Sequence, residues 1–418
     1  MEKVTCSIIT IGDELLIGQV VDTNSAWMSQ ELNNIGVWVH YRVAVGDVWD
    51  DIWNALDEES KRSHVILITG GLGPTADDIT KPLLCKYFGG KLVMHQPTLE
   101  HVTYLFEHVF KRPMPLLERN RKQAEVPDVC TVIKNELGTA PAMLFEKNGK
   151  IFISMPGVPQ EMQGIMKKEV LPLLKQRFQL PHIGHRTLLT AGTGESILAE
   201  QIKDFESALP QNIKLAYLPN YGMVRLRLTG TGDASIETEL DKQFAQMRKL
   251  VKEFLVVDED ITLEVLIGRL LKERNKTVAT AESCTGGYIA HLITTVPGSS
   301  AYFMGSVVSY DNRIKKEVLH VTDETLKTFG AVSEETVTEM LKGILCTMKT
   351  DYGIAVSGIM GPDGGTQDKP AGTVWIAVGN NQNIETKKLH FRFDRKRNIE
   401  LTSINALNVL RSFILKHN

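Results

Sequence analysis

Residues 281–287 read AESCTGG and follow the apolar, β-rich run TVAT. Ser283, Cys284 and Thr285 put three possible nucleophiles in consecutive positions, and Gly286 and Gly287 follow them. The pattern places them where a strand hands over to a helix. A side chain there is exposed, and the first free N–H groups of the helix can stabilise an anion or an oxyanion. The segment is not GxSxG and no histidine is obviously placed as a base, so a Ser-His-Asp triad is not indicated. A lysine whose pKa is lowered by desolvation is the alternative base. The following stretch GSSAYFMGSVVSYDNRIKKEVL offers Ser300, Tyr310 and Lys315. Further on, SGIMGPDGG follows an apolar run, and Arg395, Lys396 and Arg397 open the last helical pattern. Cations are disfavoured by the dipole at a helix start, so they are either solvated or used on an anion such as phosphate. Each feature also has a purely structural reading: a tight turn, a small buried cysteine, a solvated charged face.

A second group of residues lies near the other end of the chain. CSIITIG runs into Asp13-Glu14, HVILITG into GGLGPTADDIT, and IFISMPG into VPQEM. Gly70, Gly71 and Gly73 let the backbone approach a phosphate with N–H donors. Asp77 and Asp78 repel phosphate directly but serve it through a divalent cation, with Asp13, Glu14 and Glu161 on comparable loops. The structural alternative is a tight glycine turn with Asp77 capping the next helix. GxxxxGK[ST] is absent, so ATP-driven chemistry is not implied.

The elements that must position these residues separate into three segments. Up to about Lys168, apolar runs alternate with helical patterns, the signature of a mostly parallel, doubly wound sheet. From about His185 to Asp258 the order is β-α-β-β-α-β, which suits a small split α/β domain and lacks a GxxG nucleic-acid clamp. From about Ile261 the pattern is α/β again, ending in a helix with Ile404, Leu407, Leu410, Phe413 and Ile414 at helical spacing. The expected fold is therefore α/β: two three-layer domains with largely parallel sheets, spanning 1–168 and 259–418, joined by a small split domain over 169–258. At 418 residues, two or three domains are expected. A net charge of −3 argues against a broad nucleic-acid footprint. Five scattered cysteines without a CxxC pair suit a reducing cytosol without disulfides, and no HExxH pair supports a histidine-bound zinc. The first residues, MEKVTCSIIT, lack the regions of a secretory signal, and no apolar run reaches membrane-spanning length. A cytoplasmic location is expected.

Many separate motifs, in order, resemble the competence/damage-inducible protein A (CinA) family over essentially the whole chain. IGDELLIG, DTNS, TGGLGPTADDIT, NRKQAEVP and PGVPQEM look like its molybdopterin-binding-like domain. AESCTGG, PGSSAYF, GAVSEE, GPDGG and KPAGTV look like its nicotinamide mononucleotide deamidase domain, and the middle segment is similar to its KH-type connecting domain. The resemblance implies two hydrolytic activities of pyridine-nucleotide recycling. The carboxy-terminal domain would convert nicotinamide mononucleotide to nicotinic acid mononucleotide and ammonia without a cofactor. The amino-terminal domain would hydrolyse ADP-ribose to AMP and ribose 5-phosphate with a divalent metal (Mg, Mn or Co) and K+. By residue, it implies Ser283 as nucleophile with Lys315 and Tyr310. Thr285, Gly286, Gly287, Ser300, Ser357 and Arg395 or Arg397 would hold the mononucleotide. Gly12, Asn24, Gly70, Gly71, Gly73, Thr75 and Gly157 would hold ADP-ribose, and Asp13, Glu14, Asp77, Asp78 and Glu161 the metal. A homodimer is implied, with no membrane or nucleic-acid partner. Two departures stand out. Met360 replaces a small residue, which predicts a narrower pocket, and Ala142 replaces a glycine whose backbone freedom could matter. The competing readings are a non-catalytic nucleotide- or pterin-binding sensor in the first domain, and a competence or DNA-damage partner protein.

Overall fold

The computed structural model describes residues 3–75, 78–220 and 222–417. Asp77, one of the five expected metal ligands, lies outside them. Two compact units are formed, one by residues 1–185 with 229–240 and the other by 186–228 with 241–418. The fold is mixed α/β, as the alternating pattern predicts.

The first unit holds strands β1 (Thr5–Ile11), β2 (Trp38–Val45), β3 (Val65–Thr69), β4 (Leu92–Met94), β5 (Glu125–Pro127), β6 (Thr131–Ile133), β7 (Ala142–Lys147) and β8 (Lys150–Met155). Six of them form a sheet in the order β2-β1-β3-β8-β7-β6, and β4 pairs with β5 as a separate ribbon. β2, β1, β3 and β8 run parallel, while β7 and β6 are antiparallel. The apolar runs CSIITI and VILIT are buried along their length because helices cover both faces. Alternate residues of β1 show the two cores. Cys6 and Ile8 pack with Met28, Leu32 and Met162, whereas Ile9 and Ile11 pack with Ile52, Leu56 and Leu83. The parallel order brings the carboxyl ends of β1, β3 and β8 side by side, so Gly12, Gly70 and Gly157 emerge together.

A four-stranded sheet follows, of β9 (His182–Ala191), β10 (Ile213–Asn220), β11 (Met223–Gly232) and β12 (Leu255–Val257), in the order β10-β11-β9-β12. Its helices are Glu195–Gln201, Lys203–Ser207 and Ile236–Leu250. The predicted single helix ESILAEQIKDFESAL is thus two helices, broken at Ile202, whose ψ of 15° leaves the helical range.

The last sheet contains β13 (Val278–Glu282), β14 (Phe303–Val308), β15 (Tyr352–Gly358), β16 (Thr373–Gly379) and β17 (Ile384–His390) in the order β14-β13-β15-β16-β17. The first three are parallel and the last two antiparallel. One face packs Val278, Ile354 and Val356 against helices carrying Leu263, Ile267, Ile289, Leu407 and Phe413. The other packs the small residues Ala279, Ala281 and Ala355 against Leu341, Ile344 and Leu345. Small residues on that face let the helix Glu334–Met348 approach closely; a side chain at Gly353 would meet Leu341 at 2.7 Å. Among the described residues no helix is long and apolar enough to cross a membrane. All five cysteines are free thiols.

Candidate active site at the ends of β13, β14 and β15

Ser283 is the first residue beyond β13 and is only 8% exposed. Its N–H donates to the Val356 carbonyl of β15 at 3.0 Å, and Ser309 N–H, just past β14, donates to the Glu282 carbonyl at 2.8 Å. These two bonds knit three adjacent strand ends into one rim. Ser357 lies on that rim, but its hydroxyl donates to the Ala331 carbonyl at 2.7 Å. Cys284 points into the core and is 5% exposed; burial pushes its thiol up to about 12, which removes it as a ready nucleophile.

Glu282, missed by sequence reasoning, governs the turn. Period-2 alternation in β13 sends its side chain to the face covered by the helix Tyr288–Thr294, and it is fully buried. Its carboxylate accepts from Gly287 N (3.0 Å), Ile289 N (3.0 Å) and Ala290 N (2.8 Å). It also accepts from the Thr285 hydroxyl (2.7 Å), the Thr280 hydroxyl (3.2 Å) and the Ser306 hydroxyl (3.5 Å). Tyr288 N–H goes to the Thr285 carbonyl at 3.1 Å. All four N–H groups that open this helix are therefore engaged within the protein. That corrects the expectation that they face a ligand, and it also corrects Thr285, whose hydroxyl turns inward. Gly286 and Gly287 are needed for a different reason: their φ values are +62° and +97°, the left-handed region. The backbone N–H groups of Cys284 and Thr285 have no protein carbonyl or carboxylate acceptor among the described residues.

Lys315 follows the rim on the helix Asn312–Glu317 and is 1% exposed. Its Nζ donates to the Ser309 carbonyl at 2.6 Å and the Tyr310 carbonyl at 3.4 Å. Burial lowers its pKa, opposed by the nearby Cys284 thiol and Asp311 carboxylate. Deprotonation of this amine would leave two N–H bonds for the two carbonyls and a lone pair that can take a proton. No Lys315–Ser283 hydrogen bond is formed among the described residues. Tyr310 is exposed, and its hydroxyl accepts from Arg395 Nη2 at 2.8 Å, while Arg395 Nη1 donates to the Gly361 carbonyl at 3.0 Å. This brings Arg395, rather than Arg397, to the rim. The Arg397 guanidinium lies over the Phe393 ring at 4.4 Å. With Lys396 it lines a separate cavity of about 570 Å³ beside Thr193, Gly194 and Met223.

Two further expectations need correction. Ser300 is exposed and precedes β14, whose first residue, Phe303, pairs with Val278 at the start of β13. It therefore sits at the amino ends of the strands, roughly 15 Å along the sheet from Ser283 at about 3.3 Å per residue. Met360 does not narrow a pocket. It is 3% exposed and packs inward beside Cys284, Ile289 and Val374, while the buried Asn398 holds its carbonyl at 2.9 Å.

In the first unit, Asn24 joins the ends of β3 and β8. Its Nδ2 donates to the Gly157 carbonyl at 2.7 Å and to the Thr69 hydroxyl at 3.4 Å, and its Oδ1 is buried without a partner among the described residues. Gly12, Gly70 and Gly157 converge here, and a side chain on Gly70 would meet the Ile11 carbonyl oxygen at 2.1 Å. Together with Glu14 and Thr69, Asn24, Gly70 and Gly157 line a cavity of about 120 Å³. Gly71 has φ +63°, and a side chain there would strike the Thr80 hydroxyl.

The expected metal ligands do not assemble. Asp13 accepts from Asp47 N at 3.1 Å, and Glu161 accepts from Asn135 Nδ2 at 2.6 Å against Gly138. Asp78 accepts Gly73 N at 2.7 Å, Thr75 N at 2.8 Å and the Thr75 hydroxyl. The Gly73 and Thr75 donors thus close on Asp78 rather than on a phosphate. Among the described residues, no three carboxylate, histidine or cysteine side chains converge as a metal-holding group. Those present do not fit a divalent ion. Burial raises the Glu161 pKa, with the Asn135 amide opposing it. Ala142 has no positive φ and lies in β7 opposite Ile133, so glycine is not required there.

Comparison with known proteins settles the ancestry of these loops. Residues 7–176 match the probable molybdopterin binding domain, 185–256 the damage-inducible protein CinA KH domain, and 260–414 the CinA C-terminal domain. A CinA-like protein of Cytophaga hutchinsonii is 48% identical over 97% of this chain and 96% of its own length. The chain belongs to the CinA family. A CinA-like protein of Flavobacterium psychrophilum is 43% identical over 98% of this chain and 99% of its own. The competence damage-inducible protein A (ComA) of Klebsiella pneumoniae, a crystal structure, is 37% identical and covers 37% of this chain and 97% of its own, with a TM-score of 0.37. For this CinA-family chain, Glu282, Ser309 and Asn398 are the residues that sequence reasoning missed. A signal for Glu282 was available: an acid at the end of an otherwise apolar, buried strand demands donors.

Proposed function

We propose that the carboxy-terminal region hydrolyses the amide of nicotinamide mononucleotide, releasing ammonia and nicotinic acid mononucleotide. The observation that carries this reading is the meeting, on one rim, of Ser283, a buried lysine of lowered pKa and an arginine whose remaining N–H donors can hold phosphate. Neutral Lys315 takes the Ser283 proton as Oγ attacks the amide carbon. The N–H groups of Cys284 and Thr285, the turn donors left without a carbonyl or carboxylate, receive the oxyanion. Lys315 then returns the proton to the departing nitrogen, which leaves as ammonia, and water hydrolyses the acyl-serine. Arg395, steadied by Tyr310 and Gly361, holds the ribose phosphate.

For the amino-terminal region the reading is nucleotide binding at the mouth lined by Glu14, Asn24, Gly70 and Gly157, with ADP-ribose as the ligand suggested by the motifs. The unpaired, buried Asn24 Oδ1 supports a polar ligand there. No metal is assigned here, because no three described metal-ligating side chains converge and Asp13, Asp78 and Glu161 each already accept a hydrogen bond within the protein. Product analysis of the purified full chain tests both parts. Ammonia from nicotinamide mononucleotide without added metal is expected, and its absence refutes the deamidase. AMP from ADP-ribose with Mg, Mn or Co would overturn binding without turnover.

A further inference from the structure

We propose that Glu282 is the positioning residue of the nucleophile turn: its buried carboxylate gathers the donors around Ser283 and fills the positive end of the adjoining helix. This rests on the reading of Ser283 as nucleophile, and goes beyond it.

Glu282 is fully buried at the end of a strand whose other residues are Val, Ala and Thr, and none of its hydrogen-bonding partners is a cation. A buried carboxylate is costly unless donors surround it. Here three backbone N–H groups, the Thr285 hydroxyl and the mutually hydrogen-bonded Thr280–Ser306 hydroxyl pair do so, and the helix dipole supplies the remaining positive potential. The donors come from residues 285, 287, 289 and 290, all beyond Ser283, and from Thr280 and Ser306 on neighbouring strand positions. The carboxylate therefore clasps the turn from both sides and leaves Ser283 at its apex. Two positive-φ glycines make the turn sharp; the carboxylate makes it rigid. The same occupancy has a consequence for recognition. A phosphate cannot use this helix end, so the anion is left to Arg395.

The test compares the full-length wild type with Glu282→Gln and Thr285→Val. Four quantities are read: kcat and KM for ammonia release from nicotinamide mononucleotide, the rate of Ser283 labelling by a fluorophosphonate, and the thermal midpoint. Labelling forms an Oγ–P bond with loss of fluoride and needs no natural substrate. A glutamine amide must point donors at donors, either at Ala290 N or at Gly287 and Ile289 N. Glu282→Gln is expected to lower kcat and labelling by about 100-fold, the scale of a misplaced reacting group, with KM within about threefold. Thr285→Val removes one hydrogen bond and is expected to cost about five- to tenfold in both rates. Wild-type rates in a folded Glu282→Gln protein overturn the proposal, as does a loss that tracks only the fraction unfolded. If Glu282→Gln does not fold, unchanged labelling of Thr285→Val overturns it. Wild type that is labelled at Ser283 but releases no ammonia refutes the substrate reading while the labelling ratios still decide on Glu282. Wild type that is not labelled refutes both.

Discussion

The glycine turns after β3 and β13 look alike in sequence and close in the same way, yet they leave different chemistry exposed. After β13, Glu282 lies before its loop and collects the donors from inside the domain. After β3, Asp78 lies beyond its loop and collects the Gly73 and Thr75 donors near the surface. In both, an acid takes the N–H groups that a phosphate would use. What differs is the residue left over. The turn after β13 leaves Ser283 on the rim that also carries the buried Lys315; the turn after β3 leaves no hydroxyl over, because the Thr75 hydroxyl is itself bound by Asp78. A glycine-rich strand end is therefore evidence of a tight turn, and its chemistry depends on what the nearest acid has already bound.

This contrast can be broken or sharpened by substitution. Ser283→Ala is expected to lower ammonia release by about a thousandfold or more, as for loss of a nucleophile, with ADP-ribose binding to the other unit unchanged. Retained deamidation would mean that the turn is structural in both places. Lys315→Met should cost about 10²- to 10⁴-fold in kcat, the range of general-base catalysis. Because the neutral amine is the active form and burial lowers its pKa, wild-type activity should rise with pH through that lowered value and then level off. A pH profile with no such limb would count against Lys315 as base. Arg395→Gln should raise KM for the mononucleotide by about 10- to 100-fold, the worth of a hydrogen bond to a charged group, while Arg397→Gln changes it by less than about threefold. Equal effects would mean that Arg397 shares the phosphate with Arg395. Asp78→Asn is expected to weaken ADP-ribose binding by opening the Gly73–Thr75 turn, and titration with excess divalent metal should not restore it. Rescue by metal would show that Asp78 is a ligand after all. Ser300→Ala should leave deamidation within about twofold, as for a surface change away from the site.

The layers, the strand order by type and the strand-end location of both groups were legible because alternating apolar runs and helical periods record burial directly. The split small domain was legible for the same reason, apart from the break at Ile202. Ser283 and Lys315 were legible as candidates, since hydroxyl and amine types announce their chemistry. Ser300 was misplaced because its motif is close in sequence to Tyr310, yet β14 runs between them and carries them to opposite ends of the sheet. Met360 was misjudged because a glycine-rich loop gives no sign of which of its side chains turns inward. The described metal candidates do not converge for a similar reason: loops at neighbouring strand ends share a rim, but Asp13 and Asp78 take backbone N–H groups and Glu161 takes the Asn135 amide.

By itself the sequence determined which residue types stand at strand ends, that the two larger sheets are covered on both faces, and the family to which the chain belongs. Those properties follow from local periodicity and motif order, which need no distances. Only the tertiary structure decided that Glu282 binds the helix end, that Arg395 and not Arg397 meets Tyr310, and that Asp13, Asp78 and Glu161 stay apart. Each of these depends on which donor lies within hydrogen-bonding reach of which acceptor. Side-chain hydrogen bonds fall off over about an ångström, a scale that strand order and spacing along the chain do not set.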